Sequence, residues 1–245
     1  MIHFISDLHL SSQTPGITRR FLHYLGHQAR EAEQIFILGD LFEAWPGDDC
    51  IDDPDDDFNG KIVHALRCLS DSGVGLSVMH GNRDFLLGDD FATRCGAHLL
   101  PDPFVLSISS HEFVLSHGDA LCTDDSDYQA FRAKVRHPAF RTAALARPLA
   151  ERKVMAAALR AQSEQAKEGK NKSGDHLADL NAKAIENLFR EHRYATFIHG
   201  HTHRPATHDH FVDGIPVQRW VLADWHEDRG EFLCFDGKQF HRHAL

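Results

Sequence analysis

The sequence lacks the long apolar run of about eighteen residues that a membrane-spanning helix needs. We expect no secretory signal peptide, because Asp7 interrupts the N-terminal apolar stretch too early. The composition is otherwise that of a globular protein, with 42% hydrophobic and 25% charged residues among 245. A chain of this length buries a substantial core, as one elaborated domain or two small ones.

Cysteine is scarce and shows no pairing. The five cysteines are odd in number and lack the close spacings of zinc sites: Cys50, Cys68, Cys95, Cys122 and Cys234. We therefore expect free thiols in a reducing cytosol rather than a disulfide framework.

Positive charge is scarce overall but concentrated in one region. The net charge is −10, yet residues 128–172 contain eleven Lys/Arg and three Glu, which gives this region +8 and the remainder −18. Such asymmetry indicates a region that meets an anionic partner. The acidic stretch at 48–57 is expected only to be solvated or to bind adventitious cations.

Strands alternate with helices in the first half of the chain. Apolar runs predict strands at 1–5, 34–38 and 74–79, helices at 17–30, 58–69 and 86–95, and a hairpin over 105–116. Residues 128–193 are predicted to be helical, with breaks at Pro138, at Pro148 and around 169–174. Strands return at 195–198, near Phe211, at 217–222 and at 232–235. This order favours an α/β fold, a sheet covered by helices, with an inserted helical cap.

Polar residues follow the predicted strands at their carboxyl ends. Asp7 and His9 stand two apart, so in an extended backbone their side chains would point to the same face. Because open α/β sheets bind ligands at the carboxyl ends of strands, the polar residues of five strand ends are expected in one crevice. They are Asp7, His9, Asp40, Asn82, His117, His201 and His203.

These seven ligands are too many for one four-coordinate ion and suit two ions that share a carboxylate. Asp40 fits the bridging role because it follows a glycine and is expected to be exposed at the middle of the sheet edge. Oxygen and imidazole ligands without thiolate suit manganese, iron or zinc, and the oxygen content favours manganese. Two such ions stabilise the attacking and leaving oxygens of an in-line displacement.

The ordered motifs Asp7-x-His9, Gly39-Asp40, Gly81-Asn82-x-Asp84, His117-Gly118-Asp119 and Gly200-His201-x-His203 resemble those of the calcineurin-like metallophosphoesterases. The resemblance implies a four-layer αββα sandwich with a two-metal centre. It implies that one ion is held by Asp7, His9, Asp40 and His203. It implies that the other is held by Asp40, Asn82, His117 and His201.

Arg83 stands where much of that superfamily has a histidine that acts as general acid. An arginine does not donate a proton usefully, but it clamps phosphate oxygens. Loss of the general acid lowers the reaction rate about 10²–10⁴-fold when the leaving group is an alkoxide. It matters little for a phosphate, whose second pKa is about 6. We therefore infer cleavage of a pyrophosphate linkage; the alternative is that Arg83 is only a surface charge.

Four longer segments, at 39–45, 81–85, 117–125 and 128–134, resemble the UDP-2,3-diacylglucosamine diphosphatase family of the lipid A pathway. The resemblance implies hydrolysis of that UDP-sugar lipid to UMP and 2,3-diacylglucosamine 1-phosphate, by metal-activated water attacking the α-phosphorus, with two Mn²⁺ per chain. It implies peripheral association with the cytoplasmic side of the bacterial inner membrane. We expect a monomer without a nucleic-acid partner.

The same resemblance implies the residues that contact the substrate, and three of them, Asn82, Arg83 and His201, are also expected to be catalytic. The remaining contacts are Asp125, Tyr128, Ser163, Lys167 and either Lys170 or Lys172.

We expect a single domain over 1–245 with a helical lid at 126–192. Apolar residues recur at i, i+4 in the lid and alternate with Lys and Arg, a pattern typical of membrane-surface helices. The apolar faces would line an acyl-chain tunnel, or they would only pack the lid on the domain. Two other functions stay open: a phosphoesterase for soluble nucleotides, and a non-catalytic scaffold that has lost its metals. The presence of all seven ligands speaks against the scaffold.

Overall fold

The computed structural model describes residues 1–173 and 179–245, with the side chains of 164–173 excepted. Its first sheet has six strands in the spatial order β11-β10-β1-β2-β3-β4. Strands β1 to β4, on one side of the sheet, are parallel to one another, and the two C-terminal strands add to β1 as an antiparallel pair. The strands are β1 (Ile2–Ile5), β2 (Gln34–Leu38), β3 (Gly75–Met79), β4 (Ala97–Leu100), β10 (Glu231–Phe235) and β11 (Phe240–Ala244).

The second sheet has five strands in the order β5-β6-β7-β9-β8. Its middle strands β6, β7 and β9 are parallel, and the outer strands are antiparallel to their neighbours. The strands are β5 (Phe104–Ile108), β6 (His111–Ser116), β7 (Thr196–His199), β8 (Ala206–Val212) and β9 (Ile215–Val221).

Two helix layers enclose the two sheets. Helices α1 (Pro15–Gly26), α2 (Phe58–Asp71) and α3 (Asp89–Cys95) cover the first sheet, and α7 (Ala182–Glu191) covers the second. The inner faces of the two sheets meet in an apolar core rich in phenylalanine, which includes Phe4, Phe36, Phe113, Leu115 and Phe235. The predicted α/β fold, a four-layer αββα sandwich, is therefore confirmed.

Three further helices stand between β6 and α7: α4 (Ser126–Arg136), α5 (Pro138–Leu145) and α6 (Leu149–Ser173). The breaks predicted at the two prolines are present, because Pro138 begins α5 and Pro148 precedes α6. Helix α7 instead packs through Phe189 on the second sheet. We therefore restrict the lid hypothesis to α4–α6. Within the two described ranges, no helix is both long and apolar enough to cross a membrane.

Several boundaries differ from the sequence prediction. The helix predicted at 17–30 ends at Gly26, and that predicted at 86–95 begins only at Asp89, where two acidic residues favour the first turn. Strands β4 and β11 were not predicted. Strand β11 is an edge strand with three polar residues among five, so its apolar pattern is weak.

The acidic stretch at 48–57 is not merely solvated, and that expectation was wrong. Asp48 accepts hydrogen bonds from the Trp45 indole and from two backbone amides at the start of α3. Asp49 pairs with Arg152, and Asp53 pairs with Lys153, both on α6. The stretch therefore connects the domain to α6.

Candidate metal centre

The loops after β1 and β2 run side by side. The amide of Asp7 donates to the Gly39 carbonyl over 3.1 Å, and that of His9 donates to the Asp40 carbonyl over 3.0 Å. Asp7, His9 and Asp40 have φ values of 54°, 49° and 52°, and the later ligands His201 and His203 also have positive φ. Asp7 and His9 therefore face the same crevice through left-handed backbone, not through the extended backbone predicted. Such conformations are uncommon for residues other than glycine and concentrate at functional sites.

The first group of candidate ligands is Asp7, His9 and His203. The Nε2 atoms of His9 and His203 are 3.3 Å apart, and His203 Nε2 lies 3.4 Å from Asp7 Oδ1. That oxygen is buried and has no hydrogen-bond partner in the part of the chain that the structure describes. A buried carboxylate oxygen facing two imidazoles fits a divalent cation.

The second group is Asp7, Asp40 and His117. Asp40 Oδ2 lies 3.7 Å from Nε2 of both His9 and His117, so Asp40 stands between the two groups. The side-chain oxygen of Asn82 is 3.1 Å from His117 Nε2 and 3.0 Å from Nδ1 of His201. The structure thus brings together all seven side chains that the strand-end pattern selected.

Asp40 is buried, with 2% of its surface exposed, whereas we expected exposure at the sheet edge. Its Oδ1 accepts a 2.8 Å hydrogen bond from the Arg83 amide, which leaves Oδ2 directed at the imidazoles. Gly81 makes this approach possible, because a Cβ there would lie 2.0 Å from Asp40 Oδ1. The close packing of these two loops explains why glycine precedes Asn82.

The second ring nitrogen of three candidate ligands is held by another group. His9 Nδ1 lies 3.0 Å from Glu43, His203 Nδ1 lies 3.3 Å from Asp224, and His117 Nδ1 donates to the Leu38 carbonyl over 2.9 Å. Such partners fix the tautomer and orientation of metal-binding histidines. Glu43 and Asp224 were missed by the sequence analysis. Glu43 lies in the motif at 39–45, whereas no motif marks Asp224.

The carboxylates and the burial of the centre shift the pKa values of its histidines. Burial would lower the pKa of His117, but the charges of Asp40 and Asp7 raise this pKa to about 9. Burial would likewise lower the pKa of His203, but Asp224 and Asp7 raise it to about 10. Burial and the neighbouring His117 lower the pKa of His201 to about 4. The carboxylates thus favour positive charge at this point, which a divalent cation also supplies.

Arg83 is buried beside the centre. Its side chain is 9% exposed, and Nη1 lies 3.8 Å from Glu43 Oε1. The guanidinium therefore is not a surface charge, which removes that alternative. A buried arginine beside a cluster of candidate metal ligands suits an anionic group such as a phosphate.

The predicted substrate contacts are only partly described. The Tyr128 hydroxyl donates to Asp119 over 2.6 Å, and its ring stacks 6.0 Å from that of His201. Asp125 accepts a hydrogen bond from the Tyr128 amide at the start of α4, and Ser163 is partly buried on α6. The side chains of Lys167, Lys170 and Lys172 lie outside the described residues.

Helices α4, α5 and α6 line a mainly apolar cavity of about 280 Å³ that is open to solvent on one side. It is lined by Phe131, Lys134, Val135, Phe140, Met155, Ala158, Leu159 and Gln162. Apolar residues of the i, i+4 stripes seen in the sequence therefore line this cavity.

Curated relatives are similar to this chain over nearly its whole length. UDP-2,3-diacylglucosamine hydrolase of Aromatoleum aromaticum is 50% identical over 234 residues, which cover 96% of this chain and 92% of the relative. The proteins of the same name from Chromohalobacter salexigens and Escherichia coli K12 are 47% and 46% identical. These alignments cover 92% of this chain, and 89% and 91% of the two relatives. No protein-family model matches the chain.

Solved structures with lower sequence similarity also align with the chain. Vacuolar protein sorting 29 from Cryptosporidium parvum aligns with a TM-score of 0.47 and 11% identity, covering all of this chain and 96% of that structure. YfcE, a phosphoesterase from E. coli, aligns with a TM-score of 0.45 and 14% identity, covering 96% and 88%.

Proposed function

The chain belongs to the UDP-2,3-diacylglucosamine hydrolase family, and we propose that it hydrolyses the pyrophosphate bond of UDP-2,3-diacylglucosamine. The products would be UMP and 2,3-diacylglucosamine 1-phosphate, in the lipid A pathway. The observation that carries the proposal is the cluster of seven candidate ligands beside the largely buried Arg83, in a chain whose inserted helices line an apolar cavity.

The metal requirement follows from the donor set. Asp7, His9, Asp40 and His203 would hold one Mn²⁺, and Asp40, Asn82, His117 and His201 would hold the second. Asp7 Oδ1, which accepts no hydrogen bond from the described residues, and the position of Asp40 between the two groups support this assignment. Bound ions of this kind generate a strong nucleophile from water near neutral pH and stabilise charge on phosphoryl oxygens.

Arg83 would bind the phosphate that is to leave. Its guanidinium keeps its charge and offers paired donors to phosphate oxygens, but it supplies no proton. A phosphate leaving group needs no such proton, because its second pKa is about 6. His201 and Asn82, whose side chains lie 3.0 Å apart, would orient the phosphate that is attacked. The stacked Tyr128 supports a place for the head group next to His201.

The lid would bind the lipid part of the substrate. The cavity between α4, α5 and α6 is apolar where acyl chains would lie. Basic residues of the same helices, with Ser163, Lys167 and either Lys170 or Lys172, would meet the phosphates and anionic lipid, and Asp125 would contact the substrate head group. Each Lys or Arg near an anionic leaflet adds about 1 kcal/mol to membrane association. We infer a monomer bound to the cytoplasmic surface of the inner membrane.

Release of UMP from UDP-2,3-diacylglucosamine in detergent micelles tests the proposal. We expect Mn²⁺-dependent release that chelation abolishes and added Mn²⁺ restores. Asp40→Ala should lose the bound metal, and its rate of UMP release should fall at least about 10³-fold. The reason is that bound metal ions lower the activation free energy by several kcal/mol. Asp236→Ala, in an exposed turn after β10, is the control and should match the wild type.

Two results would contradict the proposal. Faster hydrolysis of soluble nucleotides, without detergent, would favour the phosphoesterase alternative. Purified protein without stoichiometric transition metal, and without metal uptake on addition, would favour the non-catalytic scaffold.

A further inference from the structure

Glu43 contacts the candidate metal centre, the lid helix α6 and Arg83. It follows β2, and its amide donates to the Leu10 carbonyl over 3.1 Å, so its backbone is fixed next to the His9 loop. Its side chain is largely buried, with 12% exposed. A charge held there requires partners, and the structure provides three.

The three partners of the Glu43 carboxylate are cationic or hydrogen-bond donors. Oε2 lies 3.0 Å from His9 Nδ1. Oε1 lies 3.1 Å from Nε of Arg160 on α6 and 3.8 Å from Nη1 of Arg83. His9 is a candidate metal ligand, Arg160 lies on the lid helix α6, and Arg83 is the arginine proposed to bind phosphate.

We propose that Glu43 is a positioning residue that orients His9 for metal binding and ties the lid helix α6 to the metal centre. Because a carboxylate only accepts, the 3.0 Å contact between Oε2 and Nδ1 favours the His9 tautomer that carries its proton on Nδ1. The lone pair of Nε2 is then directed at Asp40 and His203, which lie 3.7 Å and 3.3 Å away. This is how a carboxylate next to a metal-binding histidine raises metal affinity.

The contact with Arg83 connects Glu43 to the proposed phosphate-binding site. At 3.8 Å this pair is longer than a hydrogen bond, so a phosphate that reaches the site would compete with Glu43 for the Arg83 guanidinium. Glu43 would keep its contacts with His9 and Arg160, which connect the metal centre to α6. This step rests on the proposed function, whereas the orientation of His9 does not.

Metal affinity of the full-length apoprotein, measured by titration calorimetry with Mn²⁺, tests the first role. Glu43→Ala should weaken binding by about 10- to 100-fold, as loss of such a partner usually does. Glu43→Gln should weaken it less, because the amide oxygen still accepts from His9. Glu151→Ala is the control, since Glu151 is exposed on α6 and pairs only with Arg147 among the ion pairs described. Unchanged affinity in both Glu43 variants would overturn the proposal.

Hydrogen exchange of the α6 amides at 149–163 tests the second role. Glu43→Ala and Arg160→Met should each speed exchange, and the double variant should exchange no faster than Glu43→Ala alone. Arg160→Met should leave Mn²⁺ affinity unchanged. Equal α6 exchange in the wild type and both single variants would refute the link to the lid.

Melting curves confirm that each variant is folded, and Glu43→Gln replaces the alanine variant if that one is not. Weaker metal binding and a loosened α6, found without any hydrolysis of the UDP-sugar lipid, would leave Glu43's role intact and reject the proposed substrate.

Discussion

Arg152 donates to both carboxylate oxygens of Asp49 and so fastens α6 to the acidic stretch after β2. The guanidinium is 5% exposed and also donates to the carbonyls of Pro46 and Arg147, over 2.6 Å and 2.8 Å. The neighbouring Lys153 pairs with Asp53 in the same stretch. The base of the lid helix is therefore attached to the domain on the side of the candidate metal loops.

Replacement of Arg152 with methionine should destabilise this attachment. Asp49 is more than half exposed and remains solvated, so most of the loss comes from the two carbonyls that lose their donor. We expect a decrease of about 1–3 kcal/mol in the free energy of unfolding, measured in urea. Arg94→Met is the matched control, because Arg94 pairs with the same acidic stretch at the surface. It should cost at most about 0.5 kcal/mol, and an equal loss in the two variants would contradict the role of Arg152.

The parts of the fold and site that the sequence predicted are those encoded locally. Apolar runs such as Gln34–Leu38 form a strand wherever a sheet buries them. The polar residues after these strands meet because the carboxyl ends of β1, β2 and β3 in the first sheet face those of β6 and β7 in the second, whereas the prediction was a single sheet edge. This is why the seven candidate ligands could be selected although Asp7 and His201 are 194 residues apart. The apolar pattern does not predict the positive φ values that orient the side chains of Asp7 and His9.

The residues that support the ligands could not be predicted in this way. Asp224 follows a strand without any motif, and its contact with His203 depends on where two distant loops meet. The attachment of Asp49 to Arg152 spans 103 residues and requires the three-dimensional position of α6. A run of acidic residues is predicted to be solvated because charged side chains are mostly exposed. Its pairing with a distant helix depends on tertiary packing, which the sequence pattern does not show.

Arg83→His tests the explanation for the missing general acid. If the leaving group is a phosphate, a histidine there adds no useful proton and removes the charged, bidentate clamp. We expect kcat/KM for the UDP-sugar lipid to fall by about 10- to 100-fold, the equivalent of one or two charge-assisted hydrogen bonds. Arg67→His, at an exposed pair on α2, should behave as the wild type. A large increase in pyrophosphate cleavage would show that the leaving group does need an acid.

His3 should make stability depend on pH below neutrality. Burial, the charge of His243 and the N-terminal amino group lower the His3 pKa to about 4, and its Nδ1 lies 3.0 Å from the Tyr24 hydroxyl. The unfolded chain takes up this proton near pH 6.5, whereas the folded chain resists it down to about pH 4. His3 therefore contributes stability that is complete above pH 6.5 and is lost as the pH falls through this window.

Urea unfolding at a series of pH values from 7 to 4 measures this loss. We expect His3 to account for about 2–3 kcal/mol of the decrease in wild-type stability. His3→Gln keeps a polar group next to Tyr24 but does not titrate, so its stability should fall less steeply. His64→Gln, exposed on α2, should follow the wild type. Parallel curves for the wild type and His3→Gln would assign the loss to other groups.

Leu159→Asp tests whether the cavity in the lid receives acyl chains. Leu159 lines the apolar cavity between α4, α5 and α6, and a carboxylate there would have to be desolvated by an incoming chain. We expect kcat/KM for the diacylated substrate to fall by about 10- to 100-fold, since a desolvated polar group costs about 1–3 kcal/mol. Val154→Asp is the matched control, because Val154 lies on the same helix and is 70% exposed.

The comparison of two substrates separates chain binding from packing of the lid. A UDP-sugar without acyl chains does not enter the cavity, so Leu159→Asp should leave its slower hydrolysis unchanged while cleavage of the diacylated substrate falls. If the apolar stripes only pack the lid on the domain, the aspartate disturbs α6 itself and both substrates lose rate in the same proportion. Equal losses would therefore assign the cavity to packing, whatever the magnitude of the effect.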